Sequence, residues 1–399
     1  MTKTEIQAQT RTIPPRGFPV AEFEARTARA QQMMAEARLD ALLFTTEPEV
    51  RYFTGYLTQF WQSPTRPWFL VVPAAGKPVA VIPAIGADCM GETWLDDIRT
   101  WASPSPEDEG VSLLAATLGD LAGQAARIGL PQGPETHLRM PLADYRRLCD
   151  LLPAVEFADA TAIVRSLRMV KSAAECRKVA HICDVVSDVF EALPGLLHAG
   201  MSEIEIFRLF KIACLENGAD DVAYLVGGAG QGGYGSIISP PSDRRVGRGD
   251  VLILDTGAVF DGYYCDFDRN YAFGAASDAA RRAYDVVFEA TDRGFAAAQP
   301  GACCADVFQA MQRVLDKGGA RGNDVGRMGH GLGMQLTEWP SNTPGDRTEL
   351  RPGMILTLEP GMTFAPGKAM VHEENIVIGA AGPRYLTRRA PPELPVIPE

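Results

Sequence analysis

The chain has 399 residues, of which 46% are hydrophobic and 22% charged, a composition typical of a globular protein with room for two cores. Its formal net charge of −12 argues against nucleic acid or an anionic membrane surface as a partner. No segment approaches eighteen uninterrupted apolar residues, and residues 1–16 lack the apolar core of a signal peptide, so we expect a cytoplasmic protein. The eight cysteines are dispersed without a CxxC pair, which favours free thiols over a disulfide framework.

The first part of the chain alternates predicted helices and strands. An irregular arm over residues 1–20, broken by three prolines, precedes a helix predicted for residues 22–37. Residues 51–56 follow the first strand, and residues 112–126 are predicted as a further helix. The predicted strands, all short and apolar, are residues 41–44, 69–73, 79–83 and 127–130. This alternation predicts a smaller N-terminal α/β domain, which we assign to residues 1–160.

Two unusual segments lie outside these elements. Residues 59–68 carry two of the five tryptophans, Trp61 and Trp68, and could pack against their own domain or form part of a substrate pocket or subunit interface. Residues 227–233 contain five glycines but do not lie between a strand and a helix, so a phosphate-binding role is weakly supported. We predict that this glycine-rich segment is a mobile loop near the functional site.

The second part of the chain, residues 161–399, begins with helices. Ser172 with Glu175, and Ser202 with Glu205, form capping boxes that open helices ending near residues 193 and 216. Two more helices are predicted at residues 277–298 and 305–317, and strand-like segments at residues 328–336, 354–359 and 373–378. This part is therefore predicted to be α+β, with helices followed by a curved antiparallel sheet.

The central feature is a predicted β-hairpin that carries three carboxylates. The apolar run 251–254 ends in Asp255, and Asp261-Gly262 is the preferred dipeptide for a two-residue turn. With this turn, Asp255 falls opposite Asp268, and Asp266 lies two residues before Asp268, so all three share one face. Such positions lie about 5 to 8 Å apart, and like charges this close require a cation or a proton. The hairpin therefore predicts a site for a pair of metal ions.

Three further groups with metal-binding chemistry occur in the predicted sheet. His330 lies among three glycines in residues 329–333, which leave space for close approach to an imidazole. Glu359 ends an apolar strand, and Glu373 opens the next one. With the aspartates, these residues form a ligand set for divalent cations of the Mn, Fe, Co or Zn type.

These segments make the chain similar to the pita-bread metallopeptidase family, which includes prolidases, proline-specific aminopeptidases, methionine aminopeptidases and creatinase. The resemblance covers about residues 160–385 well, and residues 51–55 are its clearest segment in the N-terminal part. The matching segments are Asp255-Thr256-Gly257, Gly262-Tyr263 with Asp266, residues 329–333, Leu358-Glu359-Pro360-Gly361 and Glu373. The resemblance implies a creatinase-like α/β domain followed along the chain by an α+β pita-bread catalytic domain at residues 161–399. It also implies that the protein forms a homodimer.

The resemblance also implies a site with two divalent metal ions. Asp255 would bind one ion, Asp266 and Glu373 would bridge the two, and His330 and Glu359 would complete the second. A bridging hydroxide would attack a substrate carbonyl, and Glu359 would carry protons as general base and then acid.

The chain departs from the family at positions that contact substrate. Thr337 replaces one histidine of the proline-specific peptidases, and residues 236–241 lack the other. The family's threonine and arginine become Asp268 and Val371, with His372 beside the latter. We expect substrate contacts from Asp268, Thr337, Trp339 and His372.

Three functions follow as hypotheses. The retained ligand set favours a hydrolase of the Xaa-Pro dipeptidase or aminopeptidase P type, acting on a short peptide. The missing histidines favour a small-metabolite hydrolase or lyase, creatinase-like or dimethylsulfoniopropionate-lyase-like, in which Trp61, Trp68 and Trp339 could enclose a cationic group. The third hypothesis is a non-catalytic binding module on the same fold.

Overall fold

The computed structural model describes residues 12–322 and 325–398. The described chain divides into two compact units, residues 15–168 and residues 169–398 with the short segment 12–14. The domain boundary after residue 160 stays a prediction; the helix that begins at Thr161 ends at Met169, where the two units meet along the chain. The predicted N-terminal arm is described only from residue 12, and its first eleven residues lie outside the described part. Within residues 12–322 and 325–398, no helix combines the length and apolarity needed to cross a bilayer.

The N-terminal unit is built from a six-stranded mixed sheet and six helices. Its strands are β1 Ala41–Phe44, β2 Phe69–Pro73, β3 Val79–Pro83, β4 Ile98–Trp101, β5 Arg127–Leu130 and β6 Glu156–Asp159. Its helices are α1 Val20–Ala37, α2 Glu47–Thr54, α3 Ala87–Gly91, α4 Val111–Ala122, α5 Leu142–Leu151 and α6 Thr161–Met169. The strand order is β4-β3-β2-β1-β5-β6, and β1 pairs antiparallel with β2 but parallel with β5. Residues 51–54 belong to helix α2, which ends where Gly55 adopts a φ of 76°.

The aromatic segment 59–68 packs inside the N-terminal unit. The ring centroids of Trp61 and Trp68 lie 5.8 Å apart, and Trp68 also lies 5.2 Å from Tyr56. Trp68 is only 1% exposed. The guanidinium of Arg139 lies 5.1 Å from the Trp61 ring and donates to the backbone oxygen of Ser63. Of the two interpretations of this segment, the structure shows packing against its own domain.

The C-terminal unit contains four long helices around two five-stranded sheets and a small hairpin. The helices are α7 Ala173–Ala192, α8 Glu203–Glu216, α9 Asp278–Ala297 and α10 Cys304–Lys317. The first sheet holds β7 Asp221–Gln231, β8 Asp250–Phe260, β9 Tyr263–Tyr264, β10 Phe267–Phe273 and β18 Val396–Ile397. The second holds β11 His330–Gly331, β12 Glu338–Ser341, β13 Ile355–Leu358, β16 Glu374–Gly379 and β17 Gly382–Tyr385. The hairpin is β14 Gly361–Ala365 with β15 Lys368–Val371.

The helices begin where their capping residues predict. The side chains of Ser172 and Ser202 accept hydrogen bonds from the backbone of the third helical residue, and both capping boxes are complete.

In α10, Val307, Met311 and Leu315 recur every fourth residue and form one buried apolar face. That face joins the core beneath the sheets, which fixes the sheets against the helices.

The prediction of a mobile loop at residues 227–233 was wrong for residues 227–231. Residues 227–231 form the second half of β7, paired with β8 as far as Gln231 opposite Asp250. A Cβ atom on Gly227 would lie 2.2 Å from the backbone oxygen of Ile253, so only glycine permits this close approach of two strands. Glycine is depleted in strands, and this close approach overrides the usual preference.

The strand predicted for residues 328–336 is much shorter in the structure. Only His330–Gly331 forms a strand, because the carboxylate of Glu338 takes the backbone donors that follow it. Glu338 accepts from the backbone nitrogens of Met334 at 2.8 Å and Gln335 at 3.2 Å, and from the side chain of Lys171 at 2.9 Å. These bonds hold the segment in a compact turn instead of a ladder.

Candidate metal centre

The hairpin forms with the predicted turn and register. Asp261 and Gly262 have φ angles of 48° and 76°, as a two-residue turn of this kind requires. Phe260 pairs with Tyr263, and Asp255 lies directly opposite Asp268. The sequence prediction of this register is confirmed.

The second sheet brings His330, Glu359 and Glu373 together at the ends of three neighbouring strands. Leu358, the last residue of β13, pairs with Glu374, the first residue of β16. Glu359 and Glu373 therefore stand next to each other, just outside the ends of two antiparallel strands. His330 lies on the neighbouring strand β11, which also pairs with β13.

The structure brings all five predicted metal ligands together. Two groups of three ligand atoms, each within 4.8 Å of one another, share a common member, Asp266. The first group is Asp255, Asp266 and Glu373, and the second is Asp266, His330 and Glu359. Four of the five residues are buried, and Glu359 is partly exposed.

The imidazole of His330 presents one nitrogen to the carboxylates. Its Nδ1 lies 2.8 Å from the backbone oxygen of Gly331, so this nitrogen carries the proton and donates it. Its Nε2 lies 3.3 Å from an Asp266 oxygen and 3.0 Å from a Glu359 oxygen. An imidazole fixed in this way by a backbone carbonyl is oriented for metal binding through Nε2.

The glycines beside His330 make room for neighbouring backbone atoms, not for the imidazole. A Cβ on Gly329 would lie 2.1 Å from the backbone oxygen of Thr357, and one on Gly331 would lie 2.4 Å from that of Trp339. The motif therefore lets β11 approach β12 and β13 closely, which in turn places His330 beside Glu359.

Burial and mutual repulsion disturb the ionisation of the cluster. Burial, followed by the charges of neighbouring carboxylates, raises the pKa of Asp255 and of Glu373 well above their ordinary values. Burial also raises the pKa of Asp266 to about 6, against the opposing hydrogen bond from His330. Burial disfavours the imidazolium of His330, but the charges of Glu359 and Asp266 outweigh it and raise the pKa of His330 to about 10.

The cluster fits a divalent cation. Asp255 is buried, yet its Oδ1 has no hydrogen-bond partner among residues 12–322 and 325–398. An unpaired buried carboxylate oxygen costs free energy unless a cation or a donor compensates it. Carboxylates with one imidazole are the donor set that Mn, Fe, Co and Zn ions bind, so these residues can hold such ions.

The residues predicted to contact substrate lie in different surroundings. Thr337 is half-buried, and its hydroxyl accepts a hydrogen bond of 3.4 Å from Arg327. Trp339 is also half-buried, packs against the core of the C-terminal unit and donates to Thr348 at 3.3 Å. Their contact with a substrate stays a prediction.

His372 and Asp268 are almost fully enclosed. His372 is 1% exposed, and its ring nitrogens lie 3.0 Å from Thr291 and 2.9 Å from Arg389. Its imidazole belongs to neither candidate ligand group, and its Nε2 lies 3.8 Å from the carboxylate of Glu374. Arginine only donates, so the facing nitrogen of His372 must accept, and burial lowers the pKa of this imidazole well below its ordinary value. Asp268 is also 1% exposed and accepts a 2.7 Å hydrogen bond from the backbone nitrogen of Glu373.

Two residues near the cluster were missed from the sequence. Tyr224 lies on β7 opposite Gly257 of β8, and its side chain interacts with Asp255. Burial together with the nearby carboxylates raises the pKa of the Tyr224 hydroxyl. The charge of Arg327 favours the ionised forms of both Asp266 and Glu359, although burial still raises the pKa of Asp266. Recognition of β7 as the partner strand of β8 would have revealed Tyr224. Arg327 lies three residues before His330 with no pattern of its own.

Comparisons with known proteins agree with this geometry. The model of metallopeptidase family M24 matches residues 177–380, and the model of the creatinase/prolidase N-terminal domain matches residues 26–170. A probable dipeptidase PepE of Mycobacterium tuberculosis is 28% identical over 388 residues, covering 96% of this chain and 99% of the relative. An Xaa-Pro dipeptidase of Pyrococcus furiosus is 27% identical over 235 residues, covering 58% of this chain and 67% of the relative.

A solved structure shows the same fold over the length of the chain. The crystal structure of dipeptidase PepE from Mycobacterium ulcerans has a TM-score of 0.84 at 29% identity, covering 96% of this chain and all of that chain. The predicted fold class, a creatinase-like α/β domain followed along the chain by an α+β pita-bread domain, is therefore confirmed. Because the M24 model matches more than half of its residues, this chain belongs to metallopeptidase family M24, a family of metal-dependent hydrolases.

Proposed function

We propose that this protein is a dinuclear-metal-dependent hydrolase of the Xaa-Pro dipeptidase or aminopeptidase P type. The observation that carries the proposal is the pair of three-ligand groups that share Asp266, since two such groups side by side suit two ions. Relatives named dipeptidase PepE and Xaa-Pro dipeptidase support a short peptide as the substrate. A cytoplasmic homodimer remains the expectation for its location and assembly.

Five side chains would hold two divalent ions of the Mn, Fe, Co or Zn type. Asp255 would bind one ion, Asp266 and Glu373 would lie between the two, and His330 and Glu359 would complete the second. When bound, such ions lower the pKa of a water and polarise a substrate carbonyl.

Glu359 is suited to carry protons in this reaction. Burial opposes its ionisation, but the charge of His330 and hydrogen bonds from His330 and Thr357 outweigh burial and lower the pKa of Glu359. Its Oε1 accepts from the hydroxyl of Thr357, which fixes the carboxylate beside His330. An ionised carboxylate in this position can take a proton from the attacking water and pass it to the leaving amine.

Arg327 and Thr337 would contact the substrate where proline-specific relatives use an imidazole. The guanidinium of Arg327 can donate to a substrate carbonyl or carboxylate, and Thr337 holds one of its nitrogens. Because arginine stays charged at all ordinary pH values, it can stabilise negative charge but cannot shuttle protons.

The test combines metal analysis with a substrate panel. We expect two divalent ions per purified chain, loss of activity on chelation, and metal-dependent cleavage of Xaa-Pro dipeptides. The variant Asp266→Ala is the control, since it removes the carboxylate common to both ligand groups and should lose metal and activity together.

The same panel separates the other functions. Turnover of a small cationic metabolite, with no cleavage of any peptide, would favour the creatinase-like or lyase-like alternative, which the threonine at position 337 supports. Full peptide cleavage by metal-free protein would rule out the proposed function. Bound metal without turnover of any substrate would favour a binding module.

A further inference from the structure

The two carboxylates predicted to lie between the ions both stand in gaps of the sheets. Strand β9 ends at Tyr264 and β10 begins at Phe267, so Asp266 lies outside the ladder. In the same way, β15 ends at Val371 and β16 begins at Glu374, so Glu373 lies outside it. The backbone of each carboxylate therefore needs another source of support.

Three consecutive side chains of β10 support the backbone around Glu373. Asp268 Oδ1 accepts from the backbone nitrogen of Glu373 at 2.7 Å, and Arg269 donates to its backbone oxygen at 3.0 Å. Asn270 donates to the backbone oxygen of Val371 at 2.8 Å. These side chains replace the strand that would otherwise pair with residues 371–373.

A buried hydroxyl fixes the orientation of this support. Tyr234 accepts from the backbone nitrogen of Val371 at 2.8 Å, so its own proton goes to Asn270 Oδ1 at 2.9 Å. The amide nitrogen of Asn270 then faces Asp268 Oδ2 at 3.2 Å. Both oxygens of Asp268 consequently act as acceptors, one for Glu373 and one for Asn270.

A single side chain of β16 supports Asp266 in return. Asn375 Oδ1 accepts from the backbone nitrogen of Asp266 at 2.9 Å, and its amide nitrogen donates to the backbone oxygen of the same residue. Asn375 is 0% exposed. The side chain thus forms both hydrogen bonds that a neighbouring strand would have formed.

The two supports are reciprocal. Asp268 stands two residues after Asp266 and holds Glu373, while Asn375 stands two residues after Glu373 and holds Asp266. We propose that Asp268 and Asn375 are positioning residues that together set the spacing between the Asp266 and Glu373 carboxylates. This inference rests on the metal site proposed above, and it gives Asp268 a role other than substrate contact.

The spacing matters because two ions sharing carboxylates must lie about 3.5–4 Å apart. Residues that orient metal ligands through hydrogen bonds typically change metal affinity about 10- to 100-fold when replaced. Asparagine at position 268 would keep one acceptor but set an amide nitrogen against the amide nitrogen of Asn270. Alanine at position 375 would leave both backbone groups of Asp266 without their partners.

The test measures Mn²⁺ binding to folded protein, not turnover. We expect Asp268→Asn and Asn375→Ala to weaken Mn²⁺ binding in calorimetry about 10- to 100-fold, and to alter the magnetic coupling between the two Mn²⁺ ions in electron paramagnetic resonance. The matched control is Tyr271→Phe, which removes another buried hydrogen bond from β10, 2.8 Å to the backbone oxygen of Phe190. It should lower the unfolding temperature of the metal-free protein and leave Mn²⁺ binding unchanged.

Different outcomes would contradict the positioning role of Asp268 and Asn375 and the proposed dinuclear function. If either variant folds and binds Mn²⁺ as the wild type does, or if Tyr271→Phe weakens binding equally, the positioning role is wrong. Should Asp268→Asn not fold, Asn375→Ala alone carries the test. Wild-type protein that binds one Mn²⁺ contradicts the dinuclear function, and the affinity for that ion still tests the positioning role. Wild-type protein that binds none contradicts both.

Discussion

At the scale of single residues, Glu359 combines two duties that substitution can separate. Glutamine keeps an oxygen that can bind a metal but cannot accept a proton at neutral pH. We expect Glu359→Gln to lower kcat about 10²- to 10⁴-fold, the usual contribution of general acid–base catalysis, while metal is retained at reduced affinity. Steady-state kinetics at saturating metal checks this, with metal content measured on the same sample. Near wild-type kcat in metal-loaded Glu359→Gln would show that another group moves the proton.

Thr337 is the residue whose replacement tests the substrate class. The family resemblance implies a histidine at this position, and an imidazole there can donate to the substrate and pass protons, whereas the Thr337–Arg327 pair can donate but cannot pass protons. We expect Thr337→His to raise kcat/KM for Xaa-Pro dipeptides by about tenfold or more. Thr337→Val, which removes only the acceptor for Arg327, is the control and should not raise it. A histidine variant no better than wild type would mean that Arg327 already serves these substrates fully.

At the scale of elements, the sequence predicted those features that depend on residues close together along the chain. The turn dipeptide Asp261-Gly262 and the run of apolar residues before Asp255 were enough to place Asp255 opposite Asp268. Strand β7 could not be predicted in this way, because the close contact that requires glycine at position 227 comes from Ile253 on another strand. Nor could the turn built by Glu338, since Lys171, which pairs with it, lies 167 residues away along the chain.

Within the candidate site, too, local patterns were predictable and contacts between distant parts of the chain were not. The candidate metal ligands were predicted from the hairpin register of the two aspartates, from the strand ends beside the two glutamates, and from the glycines around His330. Asn375 and Tyr234 follow no pattern in the sequence, since their partners are backbone groups that only the folded sheets bring near. The hydrogen bond from Glu373 to Asp268 likewise could not be predicted, although the position of Asp268 opposite Asp255 was predicted correctly.

Helix α7 offers a prediction about stability at this scale. Ser172 accepts from the backbone nitrogen of Glu175 at 3.3 Å, and loss of such a cap costs about 1 kcal/mol. For a unit of this size we expect Ser172→Ala to lower the unfolding temperature by roughly 2–4 °C in calorimetry. Ser172→Asp retains an acceptor and should stay close to wild type. Equal losses in both variants would place the cost elsewhere than in the cap.

At the scale of the whole molecule, the candidate ligands come from two different sheets of one unit. Asp255 and Asp266 belong to the hairpin of the first sheet, His330 belongs to a strand of the second, and Glu359 and Glu373 flank strands of that second sheet. Bound ions would therefore connect the two sheets at a point where, without them, buried carboxylates repel one another. The described part of residues 169–398 contains all five ligands, so the N-terminal unit should not respond directly.

Removal of metal should consequently loosen one unit and spare the other. Ligand at about 100 times its Kd stabilises a protein by about 2.7 kcal/mol, so chelation should measurably lower the stability of the C-terminal unit. In hydrogen exchange we expect faster exchange in β8, β10, β13 and β16 after chelation, and no change in β1 or β5 of the N-terminal unit. Adding Mn²⁺ back should restore protection in wild type but not in Asp266→Ala, because that substitution removes the ligand shared by both groups. Equal loss of protection in both units would instead mean that the ions stabilise the chain as a whole, and unchanged protection would mean that they do not join the two sheets.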